Sequence, residues 1–331
     1  MKAAVLREIG KPLSVEEISL PGLGVGQVLV QIKASGICGA QLAEICGAKG
    51  PDKYLPHLLG HEGGGVVQEV GPGVTHVKPG DHVVLHWRKG QGIEAVPPSY
   101  IDANGDRVGG GWVTTFSEFA IVSENRLTVI DKLVDLAVAA LLGCGVTTGL
   151  GLVNNEAQLK IGQSIAIVGV GGVGLNVVQG AKLAGAGEII AIDWSDYRLQ
   201  MAGKLGATRI TDLYLSSPVD VFVDCTGDSQ VIADGFESVK PGGKMILVGQ
   251  PTNGKDQTFP NFRQHYCGKT IIDSQGGLTN PTVDIPRYVK MYQSGKLDLN
   301  SLITHRFPLA EINQALSTMR SGYCGRVIVE M

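Results

Sequence analysis

Ser164-Ile165-Ala166-Ile167-Val168 followed by Gly169-Val170-Gly171-Gly172-Val173-Gly174 is the stretch that decides the fold. The first five residues, β-branched and apolar, read as a buried strand, and the glycine pattern that follows opens a helix at Leu175. A GxGxxG pattern alone is weak evidence in a chain with 47 glycines. Between a strand and a helix it acquires a mechanism. The first glycine permits a tight turn, the second lets the backbone approach a pyrophosphate, and the third lets the helix pack on the strand, while free amides and the helix dipole face the phosphates. Asp193 then ends the next strand, Glu188 to Asp193, at the spacing of about 20 residues at which a carboxylate grips ribose hydroxyls. A 2′-phosphate would bring negative charge against that carboxylate, so the expected cofactor is NAD. Arg198 either brackets the ribose or softens the discrimination against NADP. Gly169, Gly171, Gly172, Val173, Gly174, Asp193 and Arg198 are therefore cofactor-binding candidates, together with Val248 at the end of a later strand. An ordinary glycine turn in another α/β protein would have to explain strand, helix and carboxylate as coincidences.

Outward from this motif the rhythm is strand, helix, strand, helix: Leu175 to Leu183, Glu188 to Asp193, Tyr197 to Leu205, Val219 to Asp224, a helix ending near Lys240, the turn Pro241-Gly242-Gly243 and a strand Lys244 to Val248. That alternation predicts a doubly wound parallel sheet of about six strands. The fold class is α/β with two domains. Up to about residue 130 the pattern differs. Val28 to Ala34, Gly65 to Val70, His82 to Leu85 and Phe119 to Val122 are short, β-branched and closed by Gly or Pro, which predicts a folded-over β domain with few helices. After Gln275 the sequence predicts helices at Ile285 to Gln293 and Leu309 to Met319 and a last strand Arg326 to Glu330, able to cap either domain.

Composition narrows the function classes. With 28 basic against 31 acidic residues and no Lys/Arg cluster, nucleic acid and membrane surfaces lose support as partners. Met1 to Leu6 is too short an apolar run for a signal-peptide core or a membrane span, so a cytoplasmic address is expected. Six cysteines lie scattered without CxxC spacing, which disfavours a disulfide framework and leaves reduced thiols, some of them possible metal ligands.

Cys38 follows the strand Val28 to Ala34, His61 sits in Gly60-His61-Glu62 before a glycine-rich strand, and Cys144 precedes the nucleotide-binding half. Two thiolates and an imidazole are the ligand set of a catalytic zinc that keeps its fourth position open. Spacing does not establish this, because isolated cysteines are more often small buried apolar residues and a lone histidine is more often a hydrogen-bonded core residue.

These residues, however, stand in a series of motifs: Gly36-Ile37-Cys38-Gly39, Gly60-His61-Glu62, Val77-Lys78-Pro79-Gly80-Asp81-His82-Val83, Gly143-Cys144-Gly145-Val146-Thr147-Thr148-Gly149, the GxGxxG segment and Lys204-Leu205-Gly206-Ala207. In this order they make nearly the whole chain resemble the zinc-containing medium-chain alcohol dehydrogenases. The resemblance implies a GroES-like β domain over residues 1–144, completed by 275–331, and a Rossmann NAD-binding domain over 145–274. It implies catalytic zinc on Cys38, His61 and Cys144, with Glu62 as an acidic neighbour that exchanges with water as a transient ligand. It also places Thr148 at the nicotinamide and Arg326 at the pyrophosphate, although on sequence alone Arg326 reads equally well as a solvated strand residue. The implied activity is NAD-dependent interconversion of a secondary alcohol, polyol or sugar-derived or similarly polar, and its carbonyl, with zinc as Lewis acid. Subunits are expected to pair as a homodimer or homotetramer through an edge strand of the cofactor domain, near Pro281 to Ile285 and the strand before it.

Two departures qualify the resemblance. Many relatives carry a hydroxyl residue two positions after the zinc cysteine, which relays the alcohol proton, and then an Asp that orients the zinc histidine; here Ala40 and Gln41 stand there. Ala40 removes the hydroxyl, and Gln41 keeps a hydrogen bond without the negative charge. Glu62, His57 or a substrate hydroxyl would have to move the proton. Between Leu85 and Val122 the chain has no cysteine, so the structural zinc of many relatives is expected to be missing, its place taken by the segment 86–115 as a cleft wall, a subunit contact or a packed structural lobe. A zinc-free quinone-reductase-type enzyme lacks the Cys, His and Cys set, and a cofactor-binding protein with little turnover is the reading from another class.

Overall fold

The computed structural model describes residues 1–212, 215, 217–263 and 267–331, and they fall into two compact units. One unit comprises Met1–Cys144, Asn280–Ser321 and Arg326–Met331, and the other Gly145–Thr279 and Gly322–Gly325. Residues 275–279 and Gly322–Gly325, expected in the β domain, thus belong to the cofactor unit. Local hydrogen bonds explain the shift. Gly277 takes an amide bond from Asn155 at 2.9 Å, Ser195 Oγ donates to the Gly322 carbonyl at 3.0 Å, and Arg198 Nε donates to the Cys324 carbonyl at 3.3 Å.

In the β unit, strands Lys2–Leu6, Ser14–Ser19, Ser99–Asp102, Arg107–Gly109 and His57–Leu58 close a barrel. A second, mixed sheet runs Leu127–Ile130, His82–His86, Glu62–Val70, Gln27–Gly36, Arg326–Glu330, Ile303–Pro308, with Phe119–Ser123 also on Gln27–Gly36. Alternation sets its packing. Val28, Val30 and Ile32 point into a core with Val67, Val83, Leu85, Ala120 and Val122, while Leu29 and Gln31 are turned partly outward. Gly63-Gly64-Gly65 are required by crowding, since a side chain at Gly64 would strike the Leu136 carbonyl and one at Gly65 the Gln31 carbonyl. Segment 86–115 is a packed lobe, one of the expected alternatives. It forms the hairpin Ser99–Asp102 with Arg107–Gly109, buries Tyr100, and is tied down by Arg126, which binds Glu94 at 2.7 Å, donates to the Trp87 carbonyl and lies over the Trp112 ring.

In the cofactor unit the six-stranded parallel sheet has the order Arg209–Thr211, Glu188–Ile192, Ser164–Val168, Val219–Asp224, Val239–Leu247, Thr270–Asp273. The crossover from Ser164–Val168 to Glu188–Ile192 is helix Gly174–Leu183. Two details differ from the expected pattern. The helix ending near Lys240 is Ser229–Glu237, capped when Ser238 Oγ donates to the Asp234 carbonyl at 2.8 Å. The turn Pro241-Gly242-Gly243 lies inside a strand that starts at Val239, as a bulge between the pairs Val219↔Val239 and Val221↔Lys244.

Asp220 ties together the starts of the two central strands by accepting from Ser164 N at 2.8 Å, Ser164 Oγ at 2.7 Å and Lys240 Nζ at 2.9 Å. Partial burial raises its pKa, but these donors outweigh burial and hold it at about 2. Its folded value is below the unfolded one, so its stabilisation is complete above the ordinary carboxylate range and is lost as pH falls toward 2. Unfolding of Asp220→Asn compared with wild type at pH 7 and near pH 2.5 is expected to show a lower Tm for the variant at pH 7 and a much smaller gap at acid pH.

Candidate metal centre and cofactor loop

Three elements of the β unit deliver the metal-ligating candidates. Cys38 caps helix Gly39–Ile45 just after the long strand Gln27–Gly36, His61 follows Gly60 at φ 93° and leads into Glu62–Val70, and Cys144 follows helix Leu136–Leu141. Gly143 is obligatory at that approach, because a side chain there would meet the Leu85 carbonyl and the Glu62 backbone. One ligand atom each from Cys38, His61 and Cys144 lies within 4.8 Å of the others, and the two sulfurs are 4.0 Å apart.

This donor set fits zinc. Tetrahedral coordination with Zn–S near 2.3 Å puts two sulfurs about 3.8 Å apart. His61 Nε2 is buried without a hydrogen-bond partner, as a nitrogen reserved for a cation would be. The electrostatics agree. Cys38 is held well below the usual thiol value by the hydrogen bond from Cys144, against desolvation and with help from His61; Cys144 is pushed well above it by that same pairing and by burial. The pairing thus directs ionisation to Cys38 rather than to Cys144.

Gln41, buried at 2% exposure, bridges the site: its Oε1 accepts from Cys38 N at 2.8 Å and its Nε2 meets His61 Nδ1. Glu62 does not join the three ligands. Its carboxylate pairs with the Arg326 guanidinium, side chains 0% and 3% exposed, and burial raises its pKa against the opposing pull of Arg326. Arg326 is therefore no solvated strand residue; the neighbouring acid commits it to the metal site's wall. His57 is also apart, with Nε2 on Asp52 at 2.8 Å and Nδ1 on the Leu58 carbonyl at 2.9 Å. Glu44 lies 3.9 Å from the same ring, but Lys49 neutralises it at 2.7 Å, so this second cluster is internally paired. The Gln41 contact had a local signal, since a side chain three residues after a helix cap commonly reaches back to it. The Glu62–Arg326 pair had none.

On the cofactor unit, Gly169 adopts φ 86°, and a side chain at Gly174 would run into the Gly169 carbonyl, which accounts for the first and third glycines. Gly171 is open, its nearest neighbour being the Arg198 guanidinium 3.9 Å from where a Cβ would stand. Asp193 accepts from Val170 N and Ser195 N, both at 2.9 Å, and Arg198 Nη1 is 3.9 Å from it. The carboxylate therefore fixes the loop itself. Val248 N donates to the Asp224 carbonyl at 3.0 Å, and Thr148 is buried in helix Gly145–Gly151. Sequence reading missed Asp224, fully buried and accepting from the Thr226 and Gly227 amides at 2.9 and 3.0 Å, because nothing but its fold marks it off from other strand-end acids.

Comparison with known proteins agrees with this geometry. Residues 24–132 match the alcohol dehydrogenase GroES-like domain and 172–294 the zinc-binding dehydrogenase family. An S-(hydroxymethyl)glutathione dehydrogenase of Paracoccus denitrificans is 33% identical over 99% of both chains. The chain belongs to the zinc-binding alcohol dehydrogenase family. It is an alcohol dehydrogenase-like, NAD-dependent oxidoreductase. The family includes alcohol dehydrogenase 1 of Pisum sativum, 33% identical over 100% of this chain and 97% of its own. Among solved structures, benzyl alcohol dehydrogenase from Acinetobacter calcoaceticus superposes with a TM-score of 0.88 at 28% identity, covering 100% and 99% of the two chains.

If Asp193 both fixes the loop and excludes a 2′-phosphate, Asp193→Ser should raise KM for NAD on the order of tenfold, the loss of one charged hydrogen bond, and narrow the preference over NADP. Steady-state kinetics with both cofactors measures this; an unchanged ratio would remove Asp193 from cofactor selection.

Proposed function

We propose that this dehydrogenase holds one catalytic zinc on Cys38, His61 and Cys144, with no structural zinc, and interconverts a polar secondary alcohol and its carbonyl with NAD. The observation that carries the reading is the buried Cys, His and Cys group with His61 Nε2 left unpartnered, on a chain whose other unit presents a glycine loop fastened by Asp193. Zinc bound there polarises the substrate oxygen as a Lewis acid. The protein's own residues do the rest. Cys38 and Cys144 supply the sulfur ligands, Gln41 lies between the Cys38 amide and the His61 ring, and Arg326 pairs with Glu62 beside them. Gly169, Gly171, Gly172, Val173 and Gly174 bind the pyrophosphate with Arg198, Asp193 takes the ribose, and Thr148 and Val248 complete the cofactor contacts on the same unit; Arg326, paired with Glu62 in the β unit, is not among them. Glu62 remains the candidate for a transient fourth ligand.

A polar substrate follows from Ala40. The side chain that would relay the proton has no hydroxyl, and His57 is committed to Asp52 and Leu58, so a second hydroxyl on the substrate itself is the proton's simplest exit. A single structural metal is unnecessary where Arg126, Glu94 and Trp112 already hold segment 86–115. Among the described residues no helix is long and apolar enough to cross a membrane; a cytoplasmic address is part of this reading. Among the described residues Thr270–Asp273 is the last strand of its sheet, and edges of this kind pair between subunits, here in a homodimer or homotetramer.

Metal analysis of the purified protein with a panel of alcohols tests this reading. About one zinc per chain is expected, lost in Cys38→Ser and His61→Ala together with NADH formation, and diols are expected to outperform simple alcohols. Zinc retained by both variants would overturn the ligand set; activity without zinc would move the protein to the zinc-free reductases. His57→Gln should leave the pH profile of kcat unchanged, and a shifted profile would make His57 the proton carrier.

A further inference from the structure

We propose that Gln41 leaves the metal site one hydrogen bond short and thereby sets how weakly the cation is held; the inference rests on the ligand set proposed above. Two groups meet the ends of the Gln41 amide: the Cys38 backbone N–H at Oε1, 2.8 Å away, and His61 Nδ1 at Nε2. A backbone N–H can only donate. An imidazole that offers Nε2 to a cation carries its proton on Nδ1, so it donates as well. Two donors thus face a side chain that has one accepting and one donating end. Turning the amide over moves the mismatch from His61 to Cys38 without removing it. Gln41 itself is 2% exposed, so the mismatch is held at a buried amide.

A carboxylate of the same length accepts from both. Its added charge is the opposing effect, but two thiolates and a divalent cation sum to zero, and Arg326 already balances Glu62. The carboxylate then faces a neutral cluster and a histidine N–H, an arrangement whose loss costs metal sites on the order of 10–100-fold in affinity. Complementarity therefore outweighs repulsion. Gln41 is a positioning residue, and it makes the metal of this enzyme more exchangeable than a carboxylate at the same place would.

Zinc competition between the full-length protein and a chromophoric chelator tests this in wild type, Gln41→Glu, Gln41→Leu and His61→Ala. Gln41→Glu is expected to bind zinc about 10–100-fold more tightly than wild type and to release it more slowly, and Gln41→Leu, which offers no acceptor, to bind more weakly. Equal or weaker binding by folded Gln41→Glu, with His61→Ala still abolishing binding, overturns the role of Gln41 alone. Binding that survives His61→Ala overturns the ligand set instead. Hydrogen exchange of zinc-loaded wild type gives a readout that needs no variant at position 41: one of the two protons, Cys38 N–H or His61 Nδ1–H, exchanges rapidly. Protection of both would overturn the proposal.

Discussion

The β unit is organised around ionisable groups drawn out of water, Glu62 and Arg326 almost completely and Cys38 and His61 in part. Cys38, Cys144, His61, Glu62 and Arg326 converge in its interior, and ionised groups in such a place persist only when each has a partner. The pairing is distributed: Arg326 answers Glu62, one thiol answers the other, and among the described residues His61 Nε2 has no hydrogen-bond partner. Strand register makes the arrangement possible. Gln27–Gly36 pairs with Glu62–Val70 on one side and Arg326–Glu330 on another, which brings Cys38, Glu62 and Arg326 to one end of the sheet. The glycines of Glu62–Val70 allow the close approach of Leu136 and so of the segment carrying Cys144.

The cofactor unit solves a different problem with similar economy. Its phosphate loop must be rigid while leaving amides free, and Asp193 fastens it by accepting from Val170 at 2.9 Å. One carboxylate, accepting from Val170 and Ser195, therefore ties the glycine loop to the end of the neighbouring strand. Arg198 performs a comparable double duty by tying Cys324 to this unit while lying over Gly171.

Much of this was legible in the sequence where one periodicity dominates. Ser164–Val168, Val219–Asp224 and Arg326–Glu330 appear with the limits read from their apolar runs, because buried parallel and central strands are continuous in composition. Ser14–Ser19, mostly exposed and polar, gave no such run, and its place in the barrel comes from pairing with Lys2–Leu6. The hairpin within 86–115 was hidden for the same reason. At the site, motif order pointed to Cys38, His61 and Cys144, but the partnership of Glu62 with Arg326 depends on tertiary register that no local pattern encodes.

That partnership has a temporal side. Glu62 and Arg326 are separated by 264 residues, so a ribosome makes the acid long before the base that neutralises it. Until Arg326–Glu330 slots beside Gln27–Gly36, the growing chain must keep the acid wet or protonated, and the β unit cannot close over it. Its final consolidation is in this sense postponed until the cofactor unit, encoded in between, has already been synthesised.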